Sequence, residues 1–342
     1  MADPVPLLEV EDLHVSFHTP DGVVQAVRGV SFEVDRGQTL GIVGESGSGK
    51  SVATQTITGL TRGARVSGSA VFDGMDLLTA SDKQLRDIRG VRIGMIFQDP
   101  LSSLHPAYKV GWQIVEMIRA HDKSVSKANA RKRATELLGM VGIPHAATRI
   151  DDYPHQFSGG MRQRVMIAMA MALSPDLLIA DEPTTALDVT VQAQVLLVMQ
   201  RLQEEFGTAI ILITHDLGVI AEMADDVVVM YAGAVMEHAP RREVFYRHHH
   251  PYTEGLFASL PARDDARGRL TPITGAPPSL IDLPSGCPFT PRCKYAFDRC
   301  AKEAPPLVQV FNDSRHRSAC WLSPDLAERR AERQEKEAEA LG

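Results

Sequence analysis

Residues 44–51 read Gly-Glu-Ser-Gly-Ser-Gly-Lys-Ser and fit the pattern G-x-x-x-x-G-K-[ST]. No other stretch constrains the chain as tightly, because such a loop works only between a strand and a helix. Thr39 to Val43 before it is an apolar run that reads as a buried strand, and Val52 to Leu60 after it reads as a helix. In that setting Gly44, Gly47 and Gly49 let the backbone curl, so that successive N–H groups point inward as an anion nest. The following helix adds its positive N-terminal end. Lys50 supplies a full charge to outer phosphates, and the Ser51 hydroxyl is suited to Mg²⁺. The plain alternative is a Gly/Ser turn with a chance lysine, and eight matching positions in context argue against it.

The chain has 342 residues, enough for one large domain or two ordinary ones. A formal net charge of -7 disfavours a broad electrostatic attraction to nucleic acid or anionic lipid. No apolar stretch reaches the roughly 20 residues that span a bilayer. The N-terminal Met-Ala-Asp-Pro-Val-Pro lacks a basic region followed by an apolar core, so the expectation is a protein kept in the cytosol. In a reducing compartment, clustered cysteines suggest metal rather than disulfides, and all four lie between 287 and 320.

Taken in order, residues 7–17 alternate apolar and polar as a half-buried strand does, and Thr19-Pro20-Asp21-Gly22 is a turn. Phe17, near the end of that strand, either stacks on a nucleobase or belongs to the core, and the residues alone do not choose. Val23 to Val34 and Val66 to Phe72 read as further strands. Ile93 to Phe97 is another, ending in Gln98. Residues 109–156 read as helical, with Trp112, Val115, Ile118 and Arg119 on one face. Ser158-Gly159-Gly160 then opens a helix ending near Ser174-Pro175 and offers a hydroxyl and free N–H groups, a second anion site. Leu177 to Glu182 is an apolar strand ending in two carboxylates, suited to metal coordination and base catalysis beside a phosphate. A loop to Asp188 leads into a helix from Val189 to Phe206. A buried strand, Ala209 to Ile213, then ends near His215, and a hairpin turns around Ala232-Gly233. Between Ala239 and Pro291 nine prolines mark the start of an irregular segment, in which His248-His249-His250 reads as a solvated loop. Residues 324–342 read as a charged tail.

The phosphate loop, Gln98, the Phe157-Ser-Gly-Gly-Met161 run, and the strand 177–182 with His215 after it occur in one order. Together they resemble the ATP-binding subunit of an ABC transporter. The run departs from the commonest Leu-Ser-Gly-Gly-Gln without touching Ser158 or the glycines. A narrower resemblance is to the dipeptide/oligopeptide permease branch. It rests on residues 44–51, Phe97 to Pro106, Asp181 to Thr190, His250-Pro-Tyr-Thr253 and the cysteine-containing tail. That branch includes importers of peptides, and some of nickel or glutathione. A non-transport ABC ATPase is a further alternative, disfavoured by the lack of a second cassette or a long coiled-coil insertion.

The resemblance implies an α/β fold. It would be a P-loop NTPase ABC ATPase core with an antiparallel β subdomain, an inserted helical subdomain (about 109–174) and a small irregular C-terminal cysteine-containing domain. The expected division is a nucleotide-binding domain over 1–238, a C-terminal extension over 239–323 and a tail over 324–342. The implied ATP contacts are Phe17, Gly44, Ser46, Gly47, Ser48, Gly49, Lys50, Ser51, Val52, Gln98, Gly159, Asp181 and Asp188, with Ser158 and Gly160 reaching ATP held by a facing ATPase. Mg²⁺ would be held by Ser51, Gln98 and Asp181. Glu182 would polarise the attacking water, and His215 would contact the γ-phosphate; with Lys50 and Gln98 these form the implied catalytic set. Implied partners are a second ABC ATPase subunit, in this branch usually a related but distinct chain, two membrane permease subunits and an extracytoplasmic peptide-binding protein. The implied location is the cytoplasmic face of the membrane, as a peripheral subunit.

Cys287, Cys293, Cys300 and Cys320 have the spacing C-x₅-C-x₆-C-x₁₉-C. Structural zinc usually grips close C-x₂₋₄-C pairs, and none occurs. The wider spacings are easier to set around the larger cubane of a [4Fe–4S] cluster. The expectation is therefore [4Fe–4S], with Zn²⁺ as the rival, in a structural role.

Overall fold

The structure is a computed structural model that describes residues 5–98, 103–185, 187–259, 272–311 and 313–322. The Asp99 to Ser102 part of the permease-branch motif and the charged tail 324–342 lie outside the described residues. The chain divides into two compact units. The first comprises Met1–Leu8, Val34–Thr39 and Phe72–Thr214; the second comprises Glu9–Glu33, Leu40–Val71 and His215–Gly342. Strands are numbered in chain order: β1 Leu8–Thr19, β2 Gly22–Val34, β3 Thr39–Val43, β4 Ala64–Phe72, β5 Met75–Asp76, β6 Ile93–Ile96, β7 Leu177–Asp181, β8 Ala209–Thr214, β9 Asp226–Tyr231, β10 Ala234–Pro240, β11 Val308–Val310 and β12 Asp313–Ser318.

In the first unit β6, β7 and β8 form a parallel ladder, with Ile93 opposite Leu177 and Ala180 opposite Leu212. Every residue of β7 and β8 is buried. That is why these strands read as unbroken apolar runs: parallel strands covered on both faces have no wet side to mark. Helices Val110–His121, Lys127–Met140, Ala146–Arg149 and Gly159–Ala170 fill the expected helical insertion. The second starts at Ser126, whose hydroxyl accepts from Asn129 N at 3.1 Å, and buries Ala130, Ala134, Leu137 and Leu138, one helical stripe. The first buries Val110, Gly111, Ile114, Val115 and Ile118. Trp112 lies outside that stripe, contrary to the expected face. It is exposed and stacks on Tyr108 at 4.3 Å.

In the second unit β1 and β2 are joined through Pro20-Asp21 and lie in the order β2-β1-β4. A second run of paired strands in this unit is β3-β9-β10-β12-β11. Strands β3 and β9 are parallel, and the pairs β9–β10, β10–β12 and β11–β12 are antiparallel. The β9–β10 turn places Ala232 at φ 48 and Gly233 at φ 81, the double left-handed turn that tight hairpins favour. Regular structure also occupies part of the proline-rich stretch, as helices Arg241–Tyr246 and Pro251–Ala258 and strands β11 and β12.

The histidine run is not a solvated loop. His249 and His250 are each 1% exposed, and their N–H groups donate to the buried Glu237 carboxylate at 2.5 and 3.1 Å. His316 from β12 bonds the same carboxylate at 2.8 Å, and His249 Nδ1 pairs with Ser318 Oγ at 2.9 Å. His250 Nδ1 also accepts from Tyr252 N at 3.0 Å, capping the helix Pro251–Ala258. An ionised carboxylate survives burial only with partners of this kind, and they hold Glu237 below the usual carboxylate range against the opposing effect of burial.

Candidate nucleotide-binding site

The second unit holds the phosphate loop. Gly44, Gly47 and Gly49 all take positive φ, at 152°, 77° and 96°. A Cβ at Gly44 would lie 2.1 Å from Met230 O, and one at Gly49 2.3 Å from Ala26 O, so neither position admits a side chain. The helix begins at Lys50, two residues earlier than the sequence suggested, so Ser51 and Val52 fall in its first turn, where backbone N–H groups lack helical partners. Lys50 Nζ donates to Gly44 O at 2.8 Å, Glu45 O at 2.9 Å and Ser48 Oγ at 3.3 Å. The ammonium is thereby kept over the loop, and Lys50 and Ser48 are buried at 5% and 3% exposure. His215 belongs to the same unit and, with Val43, Gly44 and Glu45, lines a cavity of about 280 Å³. Phe17 is half-buried near the end of β1.

The first unit holds the acidic strand end. Asp181 closes β7 and is 3% exposed. Glu182 follows at φ 48, a left-handed conformation that is unfavourable for a glutamate. Its N–H donates to Ile213 O at 2.8 Å, and its Oε2 accepts from Gln98 Nε2 at 3.0 Å and Thr185 Oγ1 at 2.8 Å. Gln98, just past the end of β6, and Glu182, just past β7, are thus brought together within this unit. Ser158 caps the helix Gly159–Ala170, its hydroxyl accepting from Met161 N at 3.3 Å. Ser158 and Gly159 are exposed, as an anion site at a helix start requires. Asp188 caps the helix Val189–Phe206 through Val191 N at 3.0 Å.

Sequence reading missed three residues around the phosphate loop. The Glu45 carboxylate accepts two hydrogen bonds from Arg292, at 2.6 and 2.9 Å, and Glu45 N donates to Tyr252 Oη at 2.8 Å. Only Glu45, as the lone acid within a glycine-rich phosphate loop, carried any signal of this in the sequence.

Cys287, Cys293, Cys300 and Cys320 all line one small cavity of about 20 Å³, together with Phe289 and Trp321, and none is disulfide-bonded. Burial raises the Cys287 thiol and pushes Cys320 up to about 12. Among the described residues, no three His, Cys, Asp or Glu side chains converge so as to hold a metal ion. The thiols are gathered, then, but not closed into a ligand cage. Among the described residues no helix is long and apolar enough to cross a membrane.

The family model for ABC transporters matches residues 27–185, and that for the oligopeptide/dipeptide transporter C-terminal region matches 236–300. The oligopeptide transport ATP-binding protein OppD of Haemophilus influenzae is 50% identical, over 94% of this chain and 98% of its own length. The dipeptide transport ATP-binding protein DppD of Bacillus subtilis is 50% identical, over 94% and 96%. Among solved structures, the dimeric post-hydrolysis state of the ATP-binding cassette MJ0796 bound to ADP and Pi aligns with a TM-score of 0.63. It is 27% identical and covers 69% of this chain and 99% of that one. With a glycine-lined phosphate loop, a capped Ser-Gly-Gly helix start and an acidic strand end in place, the chain belongs to the ABC transporter ATP-binding proteins of the oligopeptide/dipeptide group.

Proposed function

We propose that this chain hydrolyses ATP to ADP and phosphate and thereby powers an importer of dipeptides or oligopeptides. The observation that carries the reading is Lys50, held by Gly44 O, Glu45 O and Ser48 Oγ over a loop of positive-φ glycines. Such a loop presents N–H groups and one full charge to a polyphosphate. Gly44, Ser46, Gly47, Ser48, Gly49, Lys50, Ser51 and Val52 bind the phosphates, and Phe17 stacks on the base. Ser51, Gln98 and Asp181 would hold Mg²⁺, which supplies charge neutralisation on the phosphate oxygens when bound. Glu182 orients and polarises the attacking water, and the Gln98 and Thr185 bonds fix the direction in which its carboxylate points. His215 contacts the γ-phosphate.

Asp188 and Gly159 contribute further ATP contacts, and Ser158 and Gly160 serve ATP on a facing ATPase subunit, so that binding closes a dimer and hydrolysis opens it. That subunit, two membrane permeases and an extracytoplasmic peptide-binding protein complete the assembly, which places this chain at the cytoplasmic face of the membrane. In this reading the C-terminal thiols Cys287, Cys293, Cys300 and Cys320 would close around a [4Fe–4S] cluster, which would fasten their loops together when bound. What supports that assignment is that the four thiols line one cavity and none is in a disulfide. The deciding experiment is peptide uptake coupled to phosphate release in the reconstituted assembly. Phosphate release that does not depend on peptide, or uptake without it, would break the proposed coupling.

A further inference from the structure

Arg292 sits at the end of the short turn Thr290–Arg292, directly before Cys293. The turn is built into the cysteine segment: Thr290 N donates to Cys287 O at 3.0 Å, Cys293 N to Thr290 O at 3.2 Å, and Cys287 N to Cys300 O at 2.8 Å. From it the guanidinium reaches the phosphate loop, and all five of its N–H donors are used. Two go to the Glu45 carboxylate, one to Tyr231 Oη at 3.2 Å, one to Ile273 O at 3.2 Å and one to Thr274 O at 3.1 Å. The Arg292 side chain is 4% exposed and that of Glu45 27%, so this is no loose surface pair.

The pairing answers an electrostatic problem. Glu45 directly follows Gly44 in a loop shaped for a polyanion, and an unpaired carboxylate there would repel the phosphates the loop is built to hold. The bidentate cation offsets that charge and fixes the side chain on Arg292. The Glu45 N–H is likewise committed to Tyr252 Oη. Both handles of Glu45 are therefore anchored in the C-terminal segment, while Glu45 O and Gly44 O hold Lys50 Nζ.

We infer that Arg292 is a positioning residue of the nucleotide site: through Glu45 it holds the phosphate loop in its anion-binding form, and it makes the four-thiol segment part of that site. The inference rests on the reading that residues 44–51 bind nucleotide.

The test is titration of the full chain with a fluorescent ATP analogue, with folding followed by thermal melts. Wild type should bind and Lys50→Ala should not; failure of this pair would remove the nucleotide reading itself. Given that pair, Arg292→Gln should weaken binding roughly 10-fold or more, since a partly buried carboxylate has lost its partner. Glu45→Gln should weaken it less, and adding Arg292→Gln to Glu45→Gln should cost little more, the signature of two residues acting as one unit. Should Arg292→Gln not fold, Arg292→Lys replaces it, keeping the charge but not the five-donor fork. A folded Arg292 variant with wild-type affinity, or losses that simply add in the double variant, would overturn the inference.

Discussion

The Gln98 side-chain amide donates to the Glu182 carboxylate at 3.0 Å, joining residues 84 positions apart at neighbouring strand ends. The acceptor holds a left-handed backbone conformation, and Thr185 bonds the same oxygen. Strain at that position persists only because the surroundings fix it, and a fixed carboxylate is what orientation of a water molecule needs. Glu182→Gln should leave nucleotide binding by the isolated chain unchanged and lower turnover of the assembled complex by roughly 10²-fold or more. Near-normal phosphate release by that variant in single-turnover measurements would remove Glu182 from its role.

Ser158 and Lys50 should separate two kinds of ATP contact. Lys50→Ala should abolish nucleotide affinity in the isolated chain. Ser158→Arg should spare that affinity yet stop transport by the assembly if Ser158 serves, as proposed, nucleotide held by the opposite subunit. It also loses the cap on Gly159–Ala170, worth about 1 kcal/mol of stability, which thermal melts would read. Equal loss of nucleotide affinity in the two isolated variants would refute the cross-subunit assignment.

These two sites were legible in the sequence because their signals are local: glycines at fixed offsets, a cap before a helix, an apolar strand ending in acids. What was not legible depends on distant chain. His249 is buried by a strand whose Ser318 lies 69 residues away, and Glu45 meets its cation at a separation of 247. Trp112 was misplaced for a different reason, since a large ring at helical spacing looks apolar whether it faces the core or a neighbouring Tyr108.

Acid should weaken the second unit through His238. Burial, reinforced by the positive charges of Arg317 and His316, lowers this imidazole from 6.5 to about 4. Between those values the unfolded chain binds a proton that the folded chain refuses, so stability falls as pH drops from 6.5 towards 4, by up to about 3 kcal/mol. Glu237 acts in the same sense lower down: its folded value lies below 4.5, so its contribution is present above 4.5 and lost as pH falls through that lower value. Melting temperatures from pH 7 to pH 4.5 should decline more steeply for wild type than for His238→Gln. Parallel slopes would contradict the assignment.

The thiols give a visible readout. Anaerobic purification should yield a brown protein with broad absorption near roughly 400 nm, the thiolate-to-iron charge transfer of a [4Fe–4S] cluster. Serine at any one of Cys287, Cys293, Cys300 or Cys320 should bleach it. A colourless anaerobic preparation holding about one zinc per chain would decide for Zn²⁺ instead.

The clamp between Glu45 and Arg292 also sets a timetable. A ribosome that has just added Glu45 must add 247 further residues before that residue's cation exists, and 207 before Tyr252 does. At ordinary elongation rates that is an interval on the order of tens of seconds. During it a nascent chain carries a glycine-rich loop with an acid at its mouth and no counter-charge. The anchoring of the phosphate loop is therefore among the last contacts of this protein to form, although the loop's sequence is among the first to be made.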